Sequence, residues 1–204
     1  MRDHENEAEA LGYRCIAGVD EAGRGPLAGP VVAAAVVLPA SMDYAGLTDS
    51  KQLSLVQREH FFEEIQKSCL GFGVGVVDEE TIDRINILQA SLLAMKRAIE
   101  QLPVPPDMLL IDGRQKVDSS VPQKTIIKGD ACSWSIAAAS VLAKVTRDRI
   151  MDEYDHRYPH YEFKRHKGYG TKVHRERIRE HGPCPIHRRS FKGVKEYLEY
   201  ARKD

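Results

Sequence analysis

Five short apolar segments, separated by longer mixed segments, give the chain its main pattern. Each segment has the length of a β-strand, and glycine, proline or charged residues follow and end it. The five segments are residues 14–19, 31–38, 71–77, 108–111 and 124–127. The pattern therefore predicts five strands.

The segments between these strands have the periodicity of helices. Ser54 and Gln57 have the spacing of a capping box, which predicts a helix that begins there and ends at about Cys69. Apolar residues recur every three or four positions over residues 82–102, which predicts a helical stripe packed on the sheet. Further helices are predicted at residues 133–158, 172–180 and 193–200, with Pro159 ending the first of them. Strands and helices in this order indicate an α/β fold.

Acidic residues follow three of the predicted strands. Asp20 and Glu21 come directly after the first strand, Asp112 ends the fourth, and Asp130 follows the fifth through Gly129. Ligand sites of open α/β sheets lie at strand ends, so we expect these four carboxylates to converge. Their repulsion would be relieved by one or two hard cations such as Mg²⁺ or Mn²⁺. Taken singly, each aspartate is more commonly a turn or capping residue, so the prediction depends on the combination.

A glycine-rich loop follows the first acidic pair. Gly23 and Gly25 permit positive φ angles and a close approach to a ligand, and Arg24 offers a planar guanidinium that suits phosphate. Adjacent residues of a strand point to opposite faces, so Asp20 and Glu21 share a site only under one of two conditions. Either the chain bends there, which the glycines favour, or one of the two contributes its backbone carbonyl.

The charge of the chain is unevenly distributed although its formal net charge is zero. Residues 1–155 contain 16 Lys and Arg against 24 Asp and Glu, and residues 156–204 contain 14 against 6. The C-terminal segment also contains six of the eight histidines. A basic segment beside an acidic metal site suits a polyanionic substrate, although a basic run taken alone is more often a solvated helix face.

Composition narrows the class of protein. The 204 residues suit a single domain with a sizeable core. Four scattered cysteines give neither a disulfide framework nor a paired zinc motif. No apolar run approaches a membrane span, and the polar N-terminus lacks a signal peptide, so a cytoplasmic location is the default expectation.

Taken together, the motifs of the chain resemble those of bacterial ribonuclease HII, the type 2 ribonuclease H. The resemblance extends through nearly the whole chain, and the first motif is its strongest part. All four acidic positions fit the family pattern. The matching motifs are residues 17–25, 49–54, 111–113, 128–130, 137–140, 143–148, 166–169 and 185–191.

The resemblance implies a ribonuclease H fold, which is a mixed five-stranded sheet flanked by helices with a small helical C-terminal extension. It divides the chain into a catalytic core at residues 1–155 and a basic substrate-binding segment at residues 156–204, packed together as one structural domain. It also implies that four carboxylates hold two Mg²⁺ or Mn²⁺ ions, with the first of them bridging the ions. These residues are Asp20, Glu21, Asp112 and Asp130.

The implied reaction is hydrolysis of the phosphodiester 5′ to a ribonucleotide, in RNA:DNA hybrids or in duplex DNA that contains a single ribonucleotide. The resemblance assigns recognition of the 2′-hydroxyl to the loop Gly23-Arg24-Gly25 together with Tyr169. Lys51 and Lys144 are weaker candidates for phosphate contacts, since an ordinary surface lysine or an ion pair explains each equally well. A monomer is the default expectation. Ribonucleotide removal from DNA and RNA primer removal are the implied roles.

Three alternatives remain open at this stage. The ligand types of His166, His174, His181, Cys184 and His187 suit zinc, although their spacing does not. A noncatalytic phosphate or nucleic-acid binding module would leave the acidic residues without a role. Ribonuclease HIII would carry an N-terminal substrate-binding domain and a glutamate at the fourth acidic position, whereas 19 residues precede Asp20 here and the fourth position is Asp130.

Overall fold

The computed structural model describes residues 1–41 and 44–200. Residues 42–43 of the predicted catalytic core and residues 201–204 of the predicted basic segment lie outside the described residues. Five strands and eight helices are present in the described part. The strands are β1 Ile16–Ala22, β2 Val31–Val37, β3 Gly71–Val77, β4 Met108–Asp112 and β5 Gln123–Ile126. The helices are α1 Asp3–Ala10, α2 Leu55–Ser68, α3 Glu79–Ile85, α4 Ile87–Glu100, α5 Trp134–Arg157, α6 Phe163–His166, α7 Lys172–His181 and α8 Lys195–Tyr200. Short 3₁₀ turns occur at Gly129–Ala131 and Pro159–Tyr161.

The strands form one mixed sheet in the order β3-β2-β1-β4-β5. β1, β2 and β3 pair antiparallel, whereas β4 pairs parallel with β1 and with β5. Helix α4 packs on one face and α5 on the other, and β2 is buried along its whole length because it is covered on both faces. This arrangement confirms the predicted mixed five-stranded sheet flanked by helices.

Glycines in the strands let both helices approach the sheet closely. A Cβ added to Gly18 of β1 would lie 2.0 Å from the carbonyl carbon of Ser135 in α5. On the other face, a Cβ at Gly75 of β3 would lie 2.0 Å from the carbonyl oxygen of Ala94 in α4. Both distances are far below contact distance, so larger residues would push each helix off the sheet.

Most predicted elements are confirmed within a few residues, one strand and one helix differ, and helices α1 and α6 were not predicted. β1 continues through the acidic pair to Ala22, so the prediction that it ends at Val19 is wrong. The stripe over residues 82–102 is divided into α3 and α4 at Asn86, which has φ 67° and caps α4 with its side chain. Helix α1 was missed because its sequence is almost entirely polar and lacks an apolar stripe.

The capping residues of the helices follow the sequence pattern. The capping box of Ser54 and Gln57 is present at the start of α2. Ser133 caps α5, and Thr171 caps α7, each through its side-chain hydroxyl. No helix in the described part of the chain is long and apolar enough to span a membrane.

Candidate active site

Three of the four predicted acidic residues, Asp20, Asp112 and Asp130, lie together where β1 and β4 end. The two strands are parallel neighbours with Val19 opposite Ile111, so the residues that follow, Asp20 and Asp112, lie side by side on the same end of the sheet. Asp112 accepts a hydrogen bond of 2.7 Å from the backbone N–H of Gly129. This bond attaches the 3₁₀ turn that contains Asp130 to the end of β4, which brings the fourth carboxylate to the same place.

Asp112 is electrostatically central to the acidic group. Burial raises the pKa of Asp20 well above its usual value, and the negative charges of Glu21 and Asp112 raise it further. Burial also raises the pKa of Glu21, while Arg24 at 3.1 Å opposes the rise and Asp112 adds to it. Repulsion among these carboxylates therefore destabilises their charged forms in the absence of a cation.

Asp130 belongs to the same group and has a second acidic neighbour, Asp49. Burial raises the pKa of Asp130 to about 6, and the carboxylates of Asp49 and Asp112 contribute to the rise. The ammonium of Lys51 lies 3.8 Å from Asp130 and 3.8 Å from Asp49. Burial opposes the charge of Lys51, but the surrounding aspartates outweigh this effect and raise its pKa. Lys51 is thus a cation at the edge of an acidic pocket.

Of the two ways in which Asp20 and Glu21 could share a site, the structure removes the first, a bend between them. β1 stays paired with β2 as far as Ala22, so the two side chains alternate as strand residues do. Asp20 lies on the face of the sheet that α5 covers, as Gly18 does, and Glu21 lines a small cavity beside α4. The remaining way for Glu21 to share a site with Asp20 is through its backbone carbonyl.

The acidic residues fit a divalent cation by their chemistry, although they do not form a closed cage. Among the described residues, no group of three or more His, Cys, Asp or Glu side chains is arranged closely enough to hold a metal ion. Asp20 is only 4% exposed, yet no cationic side chain neutralises it at contact distance in the described part of the chain. A buried carboxylate in this state is stabilised by a cation bound at its oxygen atoms.

We expect the affinity of the protein for Mg²⁺ to rise as the pH increases through the pKa of Asp130, about 6. Asp20 and Asp130 have raised pKa values, so in the metal-free protein they retain protons that a cation must displace. As the pH rises these protons leave, and the competition weakens. Calorimetric titration with Mg²⁺ in two buffers of different ionisation enthalpy measures both affinity and proton release. An affinity independent of pH, without proton release, would contradict this picture.

The glycine-rich loop that follows Glu21 is held by two buried arginines, Arg147 of α5 and Arg188 of the C-terminal segment. The guanidinium of Arg147 donates to the carbonyls of Pro30, Ala28 and Lys167 at 3.0–3.1 Å. Gly23 has φ 100°, and a Cβ there would lie 2.2 Å from Nε of Arg147. Glycine is therefore required at this position for both conformation and space.

Arg188 binds the same loop from the other side. Its guanidinium donates to four carbonyl oxygens, and its exposed fraction is 0%. Burial lowers the pKa of Arg188 to about 9 and that of Arg147 to about 10, so both remain charged at neutral pH. The four acceptors are the carbonyls of Gly23, Arg24, Gly29 and Pro30. Two positive charges lie directly behind the loop, and their hydrogen bonds engage its carbonyls.

Tyr169 lies across the loop from the acidic residues. A Cβ added to Gly25 would lie 3.8 Å from Cε1 of the tyrosine ring, which is 42% exposed. The backbone N–H of Leu27 donates to the carbonyl of Gly168 at 2.8 Å, and the guanidinium of Arg147 lies 5.9 Å from the ring centroid. A backbone hydrogen bond thus joins the loop to the Tyr169 segment, and the role of both in ribose recognition stays a prediction.

The two candidate lysines differ in their surroundings. Lys51 is largely exposed beside the acidic group, where a phosphate of a bound strand can reach it. Lys144 forms an ion pair of 2.6 Å with Asp148 on α5, and burial lowers its pKa. A phosphate contact of Lys144 therefore competes with this ion pair, and for both lysines the contact stays a prediction.

Sequence reasoning gave no role to Asp49, Arg147 or Arg188. All three lie within motifs that carry the family resemblance, and Arg147 gave a further signal. It occurs at four-residue spacing between Ala143 and Met151, on a helix face that is otherwise buried and apolar. A charged residue in such a stripe indicates a specific buried partner.

Comparisons with known proteins agree with this fold and site. The chain is similar to the crystal structure of ribonuclease H2 from Pyrococcus horikoshii OT3, with a TM-score of 0.78 and 27% identity over 94% of this chain and 100% of that one. Bst-RNase HIII, solved in complex with Mn²⁺, gives a TM-score of 0.70 at 21% identity over 97% of this chain and 73% of that one, a likeness of fold alone. The fold is thus that of the ribonucleases H2 and H3.

The sequence comparisons are more specific. The family model described as Ribonuclease HII matches residues 17–194. Ribonuclease HII from Geobacter metallireducens is 59% identical over 194 residues, which cover 95% of this chain and 91% of the relative. The chain belongs to the ribonuclease HII family. It is therefore a ribonuclease H, a hydrolase that acts as an endonuclease, and the noncatalytic alternative is wrong.

Proposed function

We propose that this enzyme hydrolyses the phosphodiester on the 5′ side of a ribonucleotide and leaves 3′-hydroxyl and 5′-phosphate ends. The substrates are RNA:DNA hybrids and duplex DNA that contains a single ribonucleotide. The main observation in support is the placement of Gly25 and Tyr169 next to the acidic end of β1, because recognition of one ribose then occurs beside the bond that is cut.

The proposed catalytic group is the set of four acidic residues at the ends of β1, β4 and the turn after β5. Asp20, Asp112 and Asp130 would hold two Mg²⁺ or Mn²⁺ ions through their carboxylates, and Glu21 would contribute its backbone carbonyl. The chemistry that such ions would supply is a lower pKa of the attacking water and stabilisation of the leaving oxygen. Burial of Asp20 keeps bulk water from its carboxylate, which accepts a hydrogen bond of 2.7 Å from the backbone N–H of Glu21. No covalent protein nucleophile is required.

The proposed selectivity comes from the ribose 2′-hydroxyl, the group that distinguishes RNA from DNA at a single residue. Arg188 engages the carbonyls of Gly23 and Arg24, and the backbone N–H groups of residues 23–25 would bind the nucleotide. The phenol of Tyr169 would hydrogen-bond the 2′-hydroxyl, while its ring stacks on the following deoxyribose. Lys51 and Lys144 would contact neighbouring phosphates.

The proposal also covers the organisation and role of the chain. Residues 1–155 would act as the catalytic core and residues 156–204 as the basic substrate-binding segment. The hydrogen bonds from Arg188 to the glycine loop support this division because they dock the C-terminal segment on the core. The protein would act as a monomer in the cytoplasm. Its roles would be to remove RNA primers and misplaced ribonucleotides.

Tyr169→Phe should lower kcat/KM about tenfold on duplex DNA with one ribonucleotide, since one hydrogen bond to the 2′-hydroxyl is lost. Tyr13→Phe is a matched control, because Tyr13 packs with Ile16 and Met108 at the start of β1 and β4, away from the acidic end. Cleavage of this duplex, a continuous hybrid and an all-DNA duplex is compared for both variants. An unchanged preference over all-DNA duplex in Tyr169→Phe would refute the sensor role.

A further inference from the structure

Three buried histidines outside the acidic site form a connected cluster beneath the Tyr169 segment. Nε2 of His174 lies 3.0 Å from Nε2 of His187, and the ring of His166 stacks on that of His174 with centroids 4.4 Å apart. The exposed fractions of His166, His174 and His187 are 7%, 0% and 1%. Each ring nitrogen of the three residues has a hydrogen-bond partner.

The hydrogen bonds determine where each proton resides. The carbonyl of Tyr169 can only accept, so Nδ1 of His174, at 2.9 Å, carries a proton and donates it. Nε2 of the neutral His174 ring is then an acceptor, and His187 must donate to it from Nε2. This agrees with Nδ1 of His187, which accepts from the backbone N–H of Cys184 at 2.9 Å. The donors run in one direction, from Cys184 to Tyr169.

His166 holds the peptide group between Lys167 and Gly168, just before Tyr169. Its Nδ1 accepts from the backbone N–H of Gly168 at 3.2 Å, and its Nε2 donates to the carbonyl of Tyr161 at 2.8 Å. Lys167 and Gly168 have φ angles of 50° and 83°, so this segment takes a conformation that requires outside support. His166 thus binds the N–H of Gly168, and His174 binds the carbonyl of Tyr169.

We propose that His166, His174 and His187 are positioning residues for substrate recognition: as a relay of neutral rings they fix the peptide groups around Tyr169 and hold its side chain opposite Gly25. This inference rests on the proposed role of Tyr169 as the ribose sensor. It gives the histidines, which the sequence offered as zinc ligands, a different role that matches their hydrogen bonds.

The charge state of the cluster is consistent with this role. Burial lowers the pKa of His174 to about 3 and that of His187 to about 4, and nearby histidines contribute. Burial also lowers the pKa of His166, while Glu162 and Asp155 raise it and Arg165 lowers it. The side chain facing His187 from its own loop is the Cys184 thiol, whose pKa burial raises to about 12. All three rings are therefore neutral at physiological pH. A proton added to Nε2 of His174 would place two N–H donors, those of His174 and His187, face to face.

Two substitutions of His174 separate positioning from simple packing. In His174→Asn the amide nitrogen occupies the place of Nδ1 and can still donate to the Tyr169 carbonyl. In His174→Gln the amide reaches the place of Nε2, which keeps the contact with His187 and loses the one with Tyr169. We expect His174→Gln to lower kcat/KM on the single-ribonucleotide duplex about tenfold and His174→Asn by less than about threefold. Equal losses in the two variants would overturn the proposal.

A double-variant cycle tests whether His174 acts through Tyr169. In a Tyr169→Ala background, His174→Gln should cause no further loss of cleavage. A further loss of about tenfold would show that His174 contributes only to general packing and would overturn the proposal. The wild-type enzyme in the same experiment tests the proposed function separately. If the wild-type enzyme does not cut this duplex, the proposed function fails, whatever the variants show.

A spectroscopic measurement tests the relay without any substrate. In ¹⁵N-histidine-labelled protein at about pH 7, long-range ¹H–¹⁵N spectra should show His174 protonated at Nδ1 and His166 and His187 protonated at Nε2. A doubly protonated ring, or the opposite tautomer of His174, would overturn the relay even if cleavage occurs as proposed.

Discussion

Asp20→Asn is expected to lower cleavage by about a thousandfold or more and, at the same time, to raise the melting temperature of the metal-free protein. The first effect follows because a metal ligand that contributes several kcal/mol to transition-state stabilisation is lost. The second follows because burial and like charges raise the pKa of Asp20, so its ionised form destabilises the fold at neutral pH. Asparagine retains the oxygen that accepts the backbone N–H of Glu21 at 2.7 Å.

The sign of the stability effect can be checked against pH. A carboxyl whose pKa is raised by folding costs stability above that pKa, and the cost disappears as the pH falls and the proton returns. The gain in melting temperature of Asp20→Asn should therefore shrink in acid. Asp118→Asn is a matched control, since the Asp118 side chain is 89% exposed and should change neither property appreciably. Duplex binding should remain largely intact in Asp20→Asn, whereas wild-type cleavage by this variant would refute a ligand role.

Arg188→Lys is expected to lower kcat/KM about a hundredfold and the free energy of unfolding by about 3 kcal/mol. Lysine retains the positive charge but lacks the planar guanidinium that donates to four carbonyl oxygens. One or more of these buried carbonyls would therefore lose its donor. The loop would then lose its fixed path beside Asp20. Both effects should appear together, because the same hydrogen bonds shape the loop and attach the C-terminal segment to it.

Arg189→Lys is the matched control for this substitution. Arg189 is adjacent in sequence and exposed, and its own anchoring contact is made by its backbone N–H to Asp83. We expect it to leave loop geometry and unfolding free energy nearly unchanged. Chemical denaturation and steady-state cleavage measure the two quantities. Equal behaviour of the two lysine variants would show that charge alone, and not the hydrogen-bond geometry of Arg188, supports the loop.

Much of the fold was predictable because local rules and the global fold agree. The strand segments are short and apolar, and the cap residues Ser54 and Ser133 begin their helices as expected. The end of β1 was not predictable in this way. A strand that carries two acidic residues contradicts the apolar pattern, and only its pairing with Ala33 and Val32 in β2 extends it to Ala22.

The candidate site was predictable in its residue types and less so in its geometry. Asp20, Asp112 and Asp130 were expected at strand ends, and their proximity follows from the parallel pairing of β1 with β4. The roles of Arg147 and Arg188 depend on contacts more than one hundred residues apart, such as that between Arg188 and Gly23. Such contacts are not visible in a single sequence: the position of Arg147 in an apolar stripe indicates a buried partner but not which one, and the contacts of Arg188 and of the histidine cluster emerged only from the structure.

The most direct test of the proposed function is the position of the cut in duplex DNA that contains one ribonucleotide. The purified enzyme is incubated with this duplex and Mg²⁺ or Mn²⁺, and the products are mapped at nucleotide resolution with their end groups. We predict a single cut 5′ to the ribonucleotide, with 3′-hydroxyl and 5′-phosphate ends, and no cut in the all-DNA duplex. A cut elsewhere, or no cleavage with either metal, would contradict the proposal.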